Sequence, residues 1–326
     1  MEYRAFGKTG LDVSAIGFGC WELGGAYGHI EENDVVAAIH KALDVGISLF
    51  DTAEAYGFGQ SEALLAKGLG DRRKDIVLVS KFGVGYASRG GRARDGSRER
   101  MMKSIETTLS ALNTDYLDVY LVHWPDRDTP FDGTMRALED IVQQGKTRFV
   151  GVSNFKAAEI AECMSTRHVD VGQYGYHLFD RRMEVDVFPY CADNNIAMMA
   201  YGPLAHGLLT GAFDTGTSFE ESDWRSRGGA FNMPLFTEEN FPRNLKVVEA
   251  LKDIARERGK AVYELALAWV LSNPVVSVAL VGARTASEVQ ANLGAVDLKL
   301  SAEDKAAIDA VFTEHDVDTQ PSSWVD

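Results

Sequence analysis

The sequence predicts an α/β fold, a (β/α)8 barrel of the TIM type, on three observations. First, short apolar runs rich in strand-forming residues alternate with helix-length segments along the chain. Second, eight such runs occur: 16–18 (IGF), 47–50 (ISLF), 76–80 (IVLVS), 117–122 (LDVYLV), 148–152 (RFVGV), 169–172 (VDVG), 196–200 (IAMMA) and 277–281 (SVALV). Third, no composition shift or linker divides the 326 residues, so one barrel domain over 1–326 is expected. The competing doubly wound sheet requires GxGxxG at the end of its first strand. The nearest pieces, GFGCWELGG at 17–25 and GVGYAS at 83–88, lack the spacing and the following helix start.

Taken in order, residues 1–14 read as a hairpin, RAF and LDVSA around the turn Gly7-Lys8-Thr9-Gly10, placed to cap the bottom of the barrel. Asn33-Asp34 reads as the capped start of a helix with Val35, Val36, Ile39 and Leu43 on one face and Gly46 beyond its end. Ser97 to Leu112 carries Met101, Ile105, Leu109 and Leu112 at helical spacing. Weaker helical patterns run over 132–144 and 159–164. The long irregular stretch 203–242 is predicted to cover the site, because a loop of that length inside a compact domain usually has such a task.

Composition narrows the function. Hydrophobic residues make up 45% and charged residues 25%, as in ordinary globular chains. A net charge of −15 repels polyanions, so no nucleic-acid partner is expected. Cys20, Cys163 and Cys191 form no CxxC and are expected as reduced thiols. The opening MEYRAFGKTG has no apolar leader and no run is long enough to span a bilayer, so a cytoplasmic protein without a membrane partner is expected. No HExxH or HxxEH occurs, and no metal site is predicted.

Chemistry in a barrel of this kind sits where strands pass into the loops that follow them. The residues just past seven of the runs are Asp51, Lys81, His123, Ser153-Asn154, Gln173, Tyr201 and Gly282-Ala283-Arg284. Tyr56 follows five residues after Asp51 in a glycine-rich turn. Asp, Tyr, Lys and His share a coherent chemistry. An ammonium beside a phenol favours the phenolate and is expected to lower the phenol's pKa. A carboxylate holds the ammonium, and a histidine can bind a carbonyl oxygen or help deliver a proton. Such a phenol is a general acid for carbonyl reduction, or a base for alcohol oxidation. The side chains supply no hydride, so a nicotinamide is implied.

The segments FGKTGLDVSAIGFG, LFDTAEAYG, VLVSKFG, DYLDVYLVHWPD, GKTRFVGVSNF, AYGPLAHGLLTG and VGARTASEVQANLGA, in this order, resemble the aldo-keto reductase superfamily over nearly the whole chain. The nearer resemblance is to its bacterial general-stress and inositol-operon members and to potassium-channel β-subunits. It implies a catalytic tetrad of Tyr56, Lys81, Asp51 and His123, with Tyr56 as proton donor, acting on aldehydes, ketones or keto-sugars. It implies NADPH/NADP+ as cofactor. Ser153, Asn154 and Gln173 would hold the carboxamide, with Asp51 beside them, and Tyr201 would stack on the nicotinamide. Gly202, Pro203, Leu204, Gly207 and Leu208 would run under the pyrophosphate. Trp21 matches a cofactor-side position, and Gly282, Arg284, Glu288 and Asn292 match the adenosine end, with Arg284 on the 2′-phosphate. Glu288 stands where relatives commonly carry glutamine. A carboxylate there accepts a ribose hydroxyl and repels a 2′-phosphate, so NADH is admitted as well. The resemblance also admits a second role, a nicotinamide-binding redox sensor of slow turnover.

Tyr27, His29 and Trp124 are candidate substrate-pocket residues, with His206, Phe58, Trp224 and Phe231 as further loop positions to follow. Arg89, Arg92, Arg94, Arg98 and Arg100 read as a solvated basic run. Met198-Met199 read as barrel packing, and the C-terminal segment HDVDTQPSSWVD as a polar tail.

Overall fold

The structure, a computed structural model, describes residues 1–25, 27–28, 30–84, 93–221, 223–229 and 231–321. His29, Arg89, Arg92 and the last five tail residues therefore lie outside the described residues. A hairpin, β1 (Tyr3–Ala5) and β2 (Asp12–Ser14), precedes eight parallel strands: β3 (Ile16–Gly19), β4 (Leu49–Asp51), β5 (Val77–Phe82), β6 (Leu117–Val122), β7 (Thr147–Ser153), β8 (Val171–Gly175), β9 (Ala197–Tyr201) and β10 (Val276–Gly282). Strands β3 to β10 close into a barrel, with β10 paired back to β3. Each of the eight apolar runs became one of these strands.

The period of two along a strand explains where the functional residues fall. One face of each strand fills the barrel interior: Leu49, Val77, Val79, Val119, Leu121, Val171, Ala197, Met199, Val278 and Leu280. The other face packs on the surrounding helices through Phe18, Phe50, Leu78, Tyr120, Val150, Val152 and Met198. Two positions beyond the last interior residue comes the next inward residue, now at the rim. Leu49 thus leads to Asp51, Val79 to Lys81, Leu121 to His123, Val171 to Gln173 and Met199 to Tyr201.

Gly151 shows how tight the interior is. A Cβ there would lie 2.0 Å from the Val171 carbonyl oxygen of the adjacent strand. Gly151→Ala is expected to part β7 from β8 and lower stability by about 3 kcal/mol or more, read as a lower urea midpoint.

The hairpin does cap the bottom. Phe6 and Val13 are fully buried among the interior residues. The Arg4 guanidinium donates to the Val276 carbonyl at the start of β10, and the backbone N–H of Ser14 donates to Ser48 Oγ below β4.

The helices are α1 (Glu32–Asp44), α2 (Gln60–Leu69), α3 (Arg98–Ala111), α4 (Phe131–Gln143), α5 (Ala157–Met164), α6 (Val187–Asn194), α7 (Asn240–Glu257), α8 (Val262–Leu271), α9 (Ala286–Asn292) and α10 (Ala302–Glu314). The helix expected from Ser97 to Leu112 is present as α3; Ser97 caps it, accepting from the Arg100 N–H, and all four periodic residues behind it are buried. The expected start of α1 is corrected. The helix begins before Asn33, no side chain caps it, and Val36 is only partly buried while Ala38 and Ala42 face the core. Gly46 does end it, at φ +83°. Helix α8 is buried along nearly its whole length because α7 packs outside it, and α10 packs on α7 in turn. Among the described residues no helix is long and apolar enough to cross a membrane.

Stretch 203–242 is irregular up to α7, with short 3₁₀ turns at Ala205–Thr210 and Trp224–Arg227, and it lies over the C-terminal end of the barrel. The described arginines of the basic run each have a partner. Arg94 lies over the Trp124 ring at 4.8 Å, Arg98 pairs with Asp140, and Arg100 pairs with Glu54 at 2.6 Å. The tail is tied down at Thr319, whose carbonyl accepts from the Arg181 N–H.

Candidate active site

The strand ends surround a cavity of about 690 Å³, within the range of small-molecule and cofactor sites. At its floor, Lys81 is fully buried, and its ammonium donates to Asp51 Oδ2 at 2.7 Å, to the Thr52 carbonyl at 2.9 Å and to Tyr56 Oη at 3.0 Å. Lys81 does not line the cavity itself. It stands behind Asp51 and Tyr56, which do. The Tyr56 loop turns on Gly57 and Gly59, at φ +62° and +90°, and Gly24 packs so closely on it that a Cβ at Gly24 would fall 2.7 Å from Tyr56 C. His123 sets its ring edge-on to Tyr56, centroids 5.7 Å apart, and its Nδ1 is buried without a hydrogen-bond partner.

The electrostatics follow from burial. Desolvation raises the Asp51 carboxyl and lowers the Lys81 ammonium, each opposed by the other's charge. The Tyr56 phenol is pushed well above its ordinary value, first by burial and then by the Asp51 charge. This corrects the expectation that the neighbouring ammonium would lower it. Loss of hydration outweighs one hydrogen-bonded cation whose charge is already shared with a carboxylate. Burial, with the Lys81 charge, holds His123 well below its ordinary value, so its imidazole is neutral near pH 7.

Beside this group, Ser153, Asn154, Gln173 and Tyr201 form one network. Ser153 Oγ donates to the Gln173 carbonyl, the Asn154 amide donates to Ser153 Oγ and the His123 carbonyl, and Tyr201 Oη donates to Asn154 Oδ1. The Gln173 amide donates to Asp51 Oδ1 at 2.7 Å, so Gln173 orients the carboxylate that in turn holds Lys81. That link was not read from the sequence. Asp51 and Gln173 are 122 residues apart, and only the closed barrel brings them together.

Gly202, Pro203, Leu204 and Gly207 line the cavity wall, as do Gly282, Arg284, Glu288 and Asn292. Leu208 does not, because its side chain packs into the hydrophobic core. Gly202 and Gly207 have φ +63° and +100°, and Cβ atoms there would press on His206, Phe213 and Arg225. Glycine backbone therefore lines this part of the cavity. Arg284 and Glu288 are joined through the Arg284 N–H, which donates to Glu288 Oε2 at 2.7 Å.

The opposite wall is aromatic. Trp21, Tyr27, Trp124 and Phe231 line the cavity, with His206 among them. Trp124 stacks on Phe231 at 6.0 Å, and Trp21 packs 6.4 Å from the Tyr56 ring. Trp21 thus stands beside Tyr56. Tyr27 Oη bonds His206 Nδ1 at 3.3 Å. Trp224 is not on the wall but stacks behind Trp21, and Phe58 is largely exposed away from it. Sequence reasoning passed over Glu22 and Arg225, both cavity-lining. Glu22 sits in a glycine-rich loop rather than at a strand end, and Arg225 in a segment without periodicity.

The family model described as "Aldo/keto reductase family" matches residues 15–312. Aldo-keto reductase YhdN of Bacillus subtilis is 36% identical over 316 residues, covering 96% of this chain and 94% of that protein. Aldo-keto reductase yakc of Schizosaccharomyces pombe, whose name specifies NADP(+), is 33% identical over 301 residues, 90% of this chain and 87% of its own. The NADH-specific methylglyoxal reductase of Escherichia coli is 30% identical over 317 residues, 92% and 95% of the two chains. The solved glycerol dehydrogenase AKR11B4 of Gluconobacter oxydans superposes with a TM-score of 0.85 at 32% identity, covering 97% of this chain and 96% of that one. A barrel with these strand ends, matched over nearly its whole length by such relatives, belongs to the aldo/keto reductase family of nicotinamide-dependent oxidoreductases.

Proposed function

We propose that the protein interconverts a carbonyl compound (an aldehyde, ketone or keto-sugar) and its alcohol, with Tyr56 as the proton donor in reduction. The observation that carries this reading is the hydrogen bond from the buried Lys81 ammonium to Tyr56 Oη, at the floor of the cleft. When bound in the cleft, a reduced nicotinamide supplies a hydride to the carbonyl carbon. As that carbon is reduced, the Tyr56 hydroxyl gives its proton to the carbonyl oxygen. The Lys81 ammonium stabilises the phenolate left behind, and Asp51, oriented by Gln173, keeps Lys81 charged and in place. Neutral His123 orients the carbonyl oxygen rather than carrying the proton. A phenol held protonated well above neutrality is suited to donate in the reductive direction. The aromatic wall of Trp21, Tyr27, Trp124 and Phe231 packs on the substrate frame.

The dinucleotide would lie along the other wall. Ser153, Asn154 and Gln173 would hold its carboxamide, Tyr201 its nicotinamide ring, the backbone from Gly202 to Gly207 its pyrophosphate, and Arg284, Glu288 and Asn292 its adenosine end. The bare glycine backbone and the Arg284 guanidinium fit such a group. Relatives include one named for NADP(+) and one named for NADH. A guanidinium from Arg284 and a carboxylate from Glu288 at one end of the cleft support use of both, with NADP(H) favoured by the guanidinium.

The test is nicotinamide oxidation over a panel of aldehydes, keto-sugars and ketones with NADPH and NADH in parallel. Absence of turnover with every class would sink the reading. Arg284→Ala is expected to raise the Kd for NADPH by about tenfold or more while changing NADH little, and Glu288→Gln to shift the preference towards NADPH. Equal effects on both nucleotides would remove these two residues from the 2′-phosphate site.

A further inference from the structure

Among the titratable side chains of the cleft that the catalytic reading leaves without a task is Glu22. Glu22 follows the end of β3, and its carboxylate stands against Gly282 at the tip of β10. A Cβ built on Gly282 would fall 2.0–2.2 Å from the carboxyl carbon and oxygens. Gly19 and Gly282 are register partners across the barrel seam, so the main chain fixes this approach. Glu22 lines the cavity together with Arg284, Glu288 and Asn292. Among the described residues no side chain hydrogen-bonds or ion-pairs with its carboxylate.

Charged and titratable groups face it from each neighbouring element. Cys20 comes from its own strand end, Tyr27 from its own loop, Tyr56 from the loop after β4, Arg284 and Glu288 from the β10 side, and Arg225, tied to Asp223, from the covering stretch. Burial outweighs the two guanidiniums and pushes the Glu22 carboxyl up to about 7.

We propose that Glu22 couples dinucleotide binding to proton uptake: an anionic dinucleotide seats in this cleft with the Glu22 carboxyl neutral, and the Glu22 carboxylate opposes it. The inference rests on the dinucleotide reading above. Its cause is Coulombic. A pyrophosphate brings negative charge into a partly dehydrated cleft, where like charges are poorly screened. Arg284 and Arg225 attract it, and a carboxylate that feels both charges cancels part of that attraction. The bound anion then raises the proton affinity of Glu22, and by linkage the nucleotide affinity falls as pH rises through the titration of that carboxyl. The phenols of Tyr27 and Tyr56 and the thiol of Cys20 are all pushed further up, so they stay neutral in this range.

The experiment measures Kd for NADH and for NADPH by quenching of tryptophan emission, from about pH 6 to about pH 9 at constant ionic strength, on the wild-type protein and on Glu22→Gln. The wild-type Kd is expected to rise about tenfold per pH unit above 7, as one proton per nucleotide requires. The variant is expected to show a flat profile and to bind about tenfold or more tighter than wild type at the alkaline end. A second measurement needs no variant: mixing wild-type protein with NADH in weak buffer near pH 8 is expected to take up about one proton per nucleotide bound. A flat wild-type profile with no proton uptake, or an unchanged slope in Glu22→Gln, overturns the proposal and leaves the dinucleotide reading standing. Failure of the wild-type protein to bind either nucleotide at any pH removes both.

Discussion

Tyr56→Phe is expected to lower kcat for carbonyl reduction by about 10²–10⁴-fold, the span that a positioned acid commonly contributes. It is expected to leave the Kd for NADPH within a factor of about two, because the change removes one oxygen and keeps the ring in its packing against Trp21 and His123. The two readouts separate chemistry from binding. A variant with full turnover would end the assignment of Tyr56 as proton donor. A variant that loses both turnover and nucleotide would show that the hydroxyl organises the cleft rather than the reaction. The hydroxyl accepts from Lys81, so its loss also removes one of the three acceptors of a buried ammonium, and a modest fall in stability is expected alongside.

Asp51→Asn is expected to have the largest effect on stability. Lys81 is fully buried and Asp51 is its only ion-pair partner among the described residues, at 2.7 Å. Removing one partner of a buried pair leaves an uncompensated charge and costs about 3–5 kcal/mol. The pH dependence carries the sign. The folded-state pKa of Lys81 is already depressed by burial, and loss of the carboxylate depresses it further. In that condition the unfolded chain binds more protons than the folded one between the two lysine pKa values. The stability of Asp51→Asn is therefore expected to rise with pH from the depressed folded value up to the ordinary lysine value, and to fall on acidification through the folded value. Urea midpoints across the alkaline range measure this. A double variant that also replaces Lys81 by Met is expected to recover most of the stability and none of the activity. If Asp51→Asn alone is as stable as wild type and insensitive to pH, the pair is not the electrostatic anchor of the site.

The barrel was legible because its strands are buried on both faces and read as continuous apolar runs. The candidate site residues were legible for a related reason. With a period of two, the first polar residue after an apolar run is the next inward position, and Asp51, Lys81, His123, Gln173 and Tyr201 all obey it. What escaped depends on closure of the ring or on irregular backbone. The bond from Gln173 to Asp51 joins strands that the sequence does not place side by side. Glu22 reaches the cleft because β3 and β10 meet at a seam, and a local pattern cannot report that. Arg225 lies in the covering stretch, where its position comes from the bidentate hold of Asp223 and from the rings of Tyr27, Phe213 and Phe219 around its guanidinium. The direction of the Tyr56 shift was misjudged because residue types reveal the neighbouring ammonium but not the depth of burial. Leu208 belonged to a matching motif, yet its side chain turns into the core while the glycines around it face the cleft.

The seam also sets an order of events in time. Ile16–Phe18 pair with Ala279–Val281, so the ring is closed by pairing its first strand with its last. The hairpin follows the same pattern, since Arg4 is anchored on Val276. Until β10 leaves the ribosome, β3 and β9 stand as open parallel edges, with Phe6 and Val13 short of the full interior they are shaped to seal. Contacts this distant in sequence make folding slow, and unpaired edges invite association with other chains. A nascent chain arrested before residue 276 is expected to hold strands and helices already in place yet to remain protease-sensitive and chaperone-bound. The last strand acts as the clasp that turns a curved sheet into an enzyme.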